Sequence, residues 1–273
     1  MRRSQVFYGH RYKTTWRPKR FRSVKKFSWR KKLIFFIVLF LILTVVYFLF
    51  FSPIFRIKEI KISGNRAITN EEIKNSLDNL LLKKFLIFFN RNNIFLAREN
   101  DLENILLKDF FRISSIEINK SIFKRTIDLK ITERKEAGIF CRGECYYIDE
   151  EGVIFEKAPQ TSGTLIVSIK DYSQGGVEIG KNVIDEDFML RLIDLRKSLA
   201  EEVGLRVLDF IIEDEDNDLK INTNEGWYIL FDKSRDIRSQ LDSLRLILTE
   251  KIKEDRKNLE YIDLRIENRV YYK

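Results

Sequence analysis

FRIKEIKISGNRAITNEEI, Phe55–Ile73, decides the fold of what surrounds it. Phe55, Ile57, Ile60 and Ile62 alternate with charged residues, with one phase slip at Lys58-Glu59, which reads as a strand carrying a bulge. Ser63-Gly64-Asn65 ends that strand. Thr69-Asn70-Glu71-Glu72 is a capping box, with Thr69 as N-cap and Glu72 reaching back to it. Ile73, Leu77, Leu80 and Leu81 follow at helical spacing, so the strand is succeeded by an amphipathic helix.

Downstream, Leu80–Phe89 is an apolar, loosely basic stretch. It ends the helix, packs under it or lies near a membrane surface; the pattern leaves the three open. A second helix starts near Asn100-Asp101 and carries Leu102, Ile105 and Leu106 on one face. Ile116 and Ile118 mark a strand. Ile127, Leu129 and Ile131 alternate with Asp128, Lys130 and Thr132, a half-buried strand. The order strand, helix, helix, strand, strand gives a three-stranded sheet carrying two helices, an α+β unit over residues 54–133.

Upstream lies a run of 19 residues, Leu33–Phe51, of which 17 are Leu, Ile, Phe or Val. At 1.5 Å per residue it spans ~28 Å, close to the ~30 Å hydrocarbon core of a bilayer. The run is longer than a signal-peptide core, and Ser52-Pro53-Ile54-Phe55 offers no small-x-small cleavage site, so it reads as an uncleaved transmembrane helix. Residues 1–32 hold thirteen of the 50 Lys and Arg and no Asp or Glu, which leaves the remainder at a net charge of −4. Ten basic residues in 13–32 against four in 52–71 put the N-terminus in the cytoplasm by the positive-inside rule. Residues 52–273 are then extracytoplasmic. The basic tail is interleaved with aromatics such as Trp16 and Trp29. It reads as a disordered segment attracted to lipid headgroups rather than as a nucleic-acid binder, since no DNA- or RNA-binding motif accompanies it.

Residues 134–273 form a second extracytoplasmic unit. Tyr146–Asp149 and Gly152–Phe155 make a hairpin turning at Glu150-Glu151-Gly152. Leu165–Ile169 is a short strand. Phe188, Leu192, Leu195 and Leu199 define a helix that stops at Gly204. Val207–Ile212, Leu219–Thr223 and Trp227–Phe231 are three more strands. Ile237, Leu241, Leu244 and Leu248 mark a second helix, and the chain closes on YIDLRIENRVYY, Tyr261–Tyr272.

Chemistry is sparse. The only histidine, His10, lies in the basic tail, so Ser-His and Cys-His nucleophile systems are excluded outside it. Glu213-Asp214-Glu215-Asp216 with Asp218 reads as a solvated turn before a weak Ca²⁺ site. Cys141-Arg142-Gly143-Glu144-Cys145 supplies only half of a tetrahedral zinc site. A disulfide across a tight three-residue hairpin, with Gly143 in the left-handed position, suits a chain outside the cytoplasm better than free thiols or a metal. No enzyme activity, cofactor or small-molecule substrate is expected.

The phrases FRIKEIKISGN, ITNEEI, NIFL, DLENIL, ISSIEI and TIDLKITER, in that order after a membrane anchor, resemble a POTRA domain. Gly64-Asn65 and Asn93-Ile94-Phe95-Leu96 carry much of that likeness. YYIDEEGVIF, Tyr146–Phe155, and the closing YIDLR…NRVYYK resemble the start and end of the β domain of the FtsQ/DivIB cell-division family. The resemblance covers the whole chain as tail (1–32), span (33–51), POTRA domain (54–133) and β domain (134–273). Two prolines common in the family are absent: the turn before the third strand reads Phe123-Lys124-Arg125-Thr126, and the junction reads Glu133-Arg134-Lys135-Glu136.

What the resemblance implies is a non-enzymatic divisome scaffold in the inner (plasma) membrane at the septum. Its implied partners are FtsB/DivIC-like and FtsL-like single-span proteins. Strand addition at a sheet edge would be the physical route. The expected edge is Glu267–Tyr272, supported by Asp263–Ile266. Its contact residues would be Arg265, Ile266, Asn268, Arg269, Val270, Tyr271 and Tyr272, with Asn268, Val270 and Tyr272 on one face and Arg269 and Tyr271 on the other. Against this stands the reading that the tyrosines simply pack on their own sheet. A membrane-anchored POTRA chaperone in secretion or outer-membrane assembly is the alternative function. It predicts several POTRA repeats or a barrel of alternating strands, and neither is present in the sequence.

Overall fold

The computed structural model describes Gly9 and residues 29–81, 84–85, 89–90, 92–160, 166–212 and 218–273. The rest of the basic tail, parts of the Leu80–Phe89 stretch, Leu165 and the acidic residues 213–216 lie outside the described residues. Two units are distinct, Met1–Phe51 and Ser52–Lys273.

In the first unit a single helix, α1, runs Trp29–Phe51. From Leu33 onward it is apolar on every side, and it is long enough to cross a membrane. The Thr44 hydroxyl donates to the Phe40 carbonyl at 2.9 Å, so it is satisfied within the helix. The chain is a single-pass, membrane-anchored protein.

The second unit begins with a 3₁₀ turn, Pro53–Phe55, capped by Ser52. Strand β1 (Glu59–Ser63) leads to α2 (Asn70–Leu81), the short pair β2 (Lys84–Phe85) and β3 (Phe89–Asn90), then α3 (Glu99–Asp109), β4 (Ile113–Ser121) and β5 (Thr126–Glu133). The sheet order is β1-β5-β4, with β1 parallel and β4 antiparallel to central β5. Ile73, Leu77 and Leu80 of α2 and Leu102 and Leu106 of α3 are buried with Ile127, Leu129 and Ile131 of β5. Each such side chain contributes roughly 1.5–3 kcal/mol on burial. The capping box forms as its spacing requires: the Thr69 N–H donates to Glu72 Oε2 at 2.8 Å, and the Glu72 N–H to Thr69 Oγ1 at 3.2 Å.

One expectation is corrected here. Phe55–Lys58 is not the first half of a bulged strand. Phe55 belongs to the 3₁₀ turn, the Ile57 N–H donates to the Asn92 carbonyl (3.1 Å) and the Ile94 N–H to the Phe55 carbonyl (3.0 Å). The phase slip marks a change of hydrogen-bonding partner, and β1 proper starts at Glu59.

The larger sheet has nine strands. β6 (Gly138–Arg142), β7 (Glu144–Ile148), β8 (Ile154–Lys157) and β9 (Val167–Asp171) precede α4 (Glu186–Ser198). β10 (Val207–Ile212), β11 (Asp218–Thr223) and β12 (Tyr228–Asp232) follow, then α5 (Ile237–Ile247), β13 (Tyr261–Asp263) and β14 (Tyr271–Tyr272). The order is β14-β13-β12-β11-β10-β9-β6-β7-β8, with parallel pairs at β6-β9, β9-β10 and β12-β13. Asp185 and Asp236 cap α4 and α5. Both helices run on as π-helical turns, Leu199–Val203 and Leu248–Ile252. Their apolar stripes, including Leu192, Leu195, Leu241 and Leu244, join Phe140, Phe210, Trp227 and Phe231 in one core. Buried Gln240 ties α5 to β12, accepting from the Asp232 N–H at 2.9 Å and donating to its carbonyl at 3.0 Å.

The two sheets meet at residues 111–136. The Glu133 carboxylate accepts from the backbone N–H groups of Arg66, Ala67 and Ile68, at 2.7, 3.0 and 3.2 Å. Burial pushes this carboxyl up, but the three N–H bonds outweigh it and hold the group below the usual carboxylate range. The next residue faces the other way: the Arg134 guanidinium pairs with Asp149, which is buried, and with Glu151 (2.9 Å). Arg112 binds Glu136 at 2.8 Å and Glu156 at 2.5 Å, with its guanidinium 5.1 Å from the centre of the Phe155 ring. The Phe111 ring lies so close to Gly180 that a Cβ there would sit 2.4 Å from its Cδ1.

Candidate partner-binding edge

β14 is the outermost strand of the nine-stranded sheet and pairs antiparallel with β13 through Ile262↔Tyr272 and Asp263↔Tyr271. The Lys273 N–H donates to the Tyr261 carbonyl at 3.2 Å, and the Tyr261 N–H to the Lys273 carbonyl at 3.4 Å. Inward-facing backbone groups alternate along an antiparallel strand. Lys273 and Tyr271 therefore face β13, and Tyr272 turns its N–H and C=O to the open side.

The edge is shorter than the expected Glu267–Tyr272. The Arg269 N–H donates to the Ile266 carbonyl at 3.3 Å, and Asn268 takes a left-handed φ of 59°. Residues 266–269 are thus a turn, so Ile266, Asn268 and Arg269 are not strand residues and the alternation assigned to Asn268 and Arg269 does not hold. Asn adopts left-handed backbone more readily than most residues, which is why the chain reverses there. Val270 packs partly against the core, while both side chains of Tyr271 and Tyr272 are about half exposed.

Arg265 has a role inside the fold. It pairs with Asp263 at 2.7 Å and with Asp218 of β11, and its own N–H donates to Asp263 Oδ1 at 3.0 Å. Burial raises the Asp263 carboxyl, and the Arg265 hydrogen bonds more than offset this, leaving it below its usual value. Ile262 and Leu264 are buried between these polar side chains. The IDLR phrase is therefore an alternating brace: two side chains enter the core and two lock each other above it. Arg235 completes the brace by donating to the carbonyls of Leu264 and Arg265, both at 3.0 Å.

Beside this brace runs a groove of about 340 Å³ between α5 and the 264–270 segment. Leu246 and Ile247 of α5 face Leu264, Ile266 and Val270 across it, with Glu250 and Lys251 at its rim. Leu246 and Ile266 are largely exposed. The groove has no counterpart among the sequence expectations, because it is made by elements whose proximity only the sheet order reveals.

At the other end of the sheet, Cys141 and Cys145 face each other in the β6–β7 register and are joined by a disulfide, Cα–Cα 4.1 Å, with Gly143 at φ 77°. Among the described residues no group of three or more His, Cys, Asp or Glu side chains is placed to hold a metal ion.

The model of the POTRA domain, FtsQ-type family matches residues 55–134. The chain carries an FtsQ-type POTRA domain. No curated protein matches the chain. The matched stretch opens in the 3₁₀ turn after the anchor and closes at Arg134, so the POTRA domain contains the whole three-stranded sheet and both of its helices.

Proposed function

We propose that this protein is a scaffold of the bacterial divisome that recruits other single-span division proteins at the septum. The basic tail, residues 1–32, lies in the cytoplasm against anionic headgroups, and residues 52–273 lie outside. Residues 134–273 act as an FtsQ/DivIB-type β domain following the POTRA domain. The partners are FtsB/DivIC-like and FtsL-like proteins. One adds an extended segment to β14 and lays an apolar helical face in the groove beside α5. The observation that carries this reading is the open backbone of Tyr272 next to exposed Leu246 and Ile266. Main-chain pairing supplies affinity in strand addition, and adjacent pockets supply specificity.

The test uses the full chain in lipid nanodiscs and a purified FtsB/DivIC–FtsL-type coiled-coil pair. Tyr272→Pro removes the outward N–H while leaving both inward hydrogen bonds to β13, and proline is tolerated on edge strands. Capture of the pair should weaken by about tenfold, since a lost hydrogen bond and the added ring act together. Tyr272→Phe should bind as the parent does. Unchanged capture by Tyr272→Pro would rule out this edge. Depletion in the native bacterium should give undivided filaments, and normal septation would remove the division role.

A further inference from the structure

The hairpin between β4 and β5 ends in Ile122-Phe123-Lys124-Arg125, and this tip exposes two large apolar side chains, with Phe123 entirely in solvent. Lys124 is exposed beside it. The tip is held in shape: the Arg125 N–H donates to the Ile122 carbonyl at 3.2 Å, and Arg125 takes a left-handed φ of 58°, a conformation that costs a side chain with a Cβ some strain. Such a backbone persists only where its surroundings fix it. Here they do so by joining the tip to the first residues after the anchor. The Lys58 N–H donates to the Arg125 carbonyl at 2.8 Å, and Arg125 Nη1 donates to the Ile54 carbonyl at 3.4 Å.

Ile54 is three residues beyond Phe51, the last residue of α1. Only Ser52 and Pro53 separate the two in sequence. Ile54 is itself exposed, and Arg56 and Lys58 beside it are exposed cations. An apolar tip rimmed by Lys and Arg, tethered this close to a membrane span, has the composition of an interfacial anchor: apolar side chains enter the headgroup–acyl boundary and cations meet anionic headgroups.

We propose that Ile122–Arg125 is a lipid-contacting wedge that inserts into the bilayer interface on the side of the membrane carrying residues 52–273. Its occupant is the surface of an anionic bilayer. This rests on α1 spanning the membrane, and goes beyond it by giving the POTRA domain a second attachment. One attachment leaves a domain free to rotate about its tether. Two attachments fix which face of the POTRA sheet meets the lipid.

The test uses the full chain reconstituted in vesicles of phosphatidylcholine and phosphatidylglycerol. A nitroxide is attached to Lys124→Cys, or, as a control on the nine-stranded sheet, to Tyr172→Cys, an exposed position after β9. With Cys141 and Cys145 paired, the introduced thiol is the one available for labelling. The label at 124 should collide with oxygen in preference to a water-soluble nickel chelate, and the label at 172 should not. Adding Phe123→Ser should shift the tip toward water by about tenfold. Pure phosphatidylcholine vesicles should weaken the contact in the parent chain. Equal nickel access at 124 and 172, or no response to Phe123→Ser, would overturn the proposal. Protection that appears only when membrane proteins are added would overturn it in favour of a protein partner. Flotation of the chain with the vesicles after carbonate washing reports α1 separately, so a failed anchor and a failed wedge are told apart.

Discussion

Glu133→Gln tests the junction at its most economical point. The carboxylate receives three backbone N–H groups from the loop between β1 and α2, and two of those bonds are 3.0 Å or shorter. Glutamine keeps the shape and one carbonyl oxygen but loses the charge and the second acceptor. Hydrogen bonds to a charged acceptor contribute roughly 1.5–3 kcal/mol each, about twice the neutral value. The group is partly solvated, and screening brings the loss for the substitution to about 1–2 kcal/mol at pH 7. The pH dependence has a definite sign. Glu133 is held below its ordinary value, so its contribution is complete above the unfolded pKa of about 4.3 and is lost as the pH falls through the lowered folded value. Parent and variant should therefore differ in urea denaturation at neutral pH and converge in acid. Amide exchange at Arg66, Ala67 and Ile68 should speed up in the variant at neutral pH. A stability difference that is the same in acid as at neutrality, or unchanged exchange at those three amides, would refute the reasoning.

Arg265→Ala should lower stability by about 1–2 kcal/mol, because it leaves Asp263 and Asp218 facing each other without their shared, partly solvated cation; thermal unfolding reads this, and Asp218→Asn should cost less. Replacing both Cys141 and Cys145 by Ser should cost about 2 kcal/mol, the chain-entropy value for so small a loop. Dithiothreitol should lower the parent to the level of the double variant and leave that variant unmoved; equal midpoints of parent and variant without reductant would contradict it.

Local features were legible in the sequence and distant ones were not. Thr69 and Glu72 sit three residues apart, so their mutual hydrogen bonds could be read from spacing alone. The same holds for the alternation in β5 and for the apolar stripes of α4 and α5, where one period governs many residues. Phe55–Lys58 misled because its alternation is real while its partners, Asn92, Ile94 and Arg125, are far away in sequence. The terminal strand misled for a different reason. Six residues of acceptable strand composition are interrupted by one backbone conformation at Asn268, and composition does not encode φ at a single position. The expected strand Glu267–Tyr272 is paired only at Tyr271–Tyr272, and Arg265, expected as a contact residue, also pairs with Asp263 and Asp218 above the core. The groove beside α5 needed the order β12-β13-β14, which no local pattern supplies.

The missing junction proline also becomes intelligible. A proline stiffens a linker by restricting one dihedral angle. Here consecutive side chains do that work by gripping in opposite directions, Glu133 onto the β1–α2 loop and Arg134 onto the β7–β8 turn. The consequence is mechanical. A tug on the outer margin of the large sheet meets these two grips at residues 133–134 before it reaches the three-stranded sheet. Slip at this point requires two oppositely oriented grips to open together, the Glu133 carboxylate on three backbone N–H groups and the Arg134 guanidinium on two carboxylates.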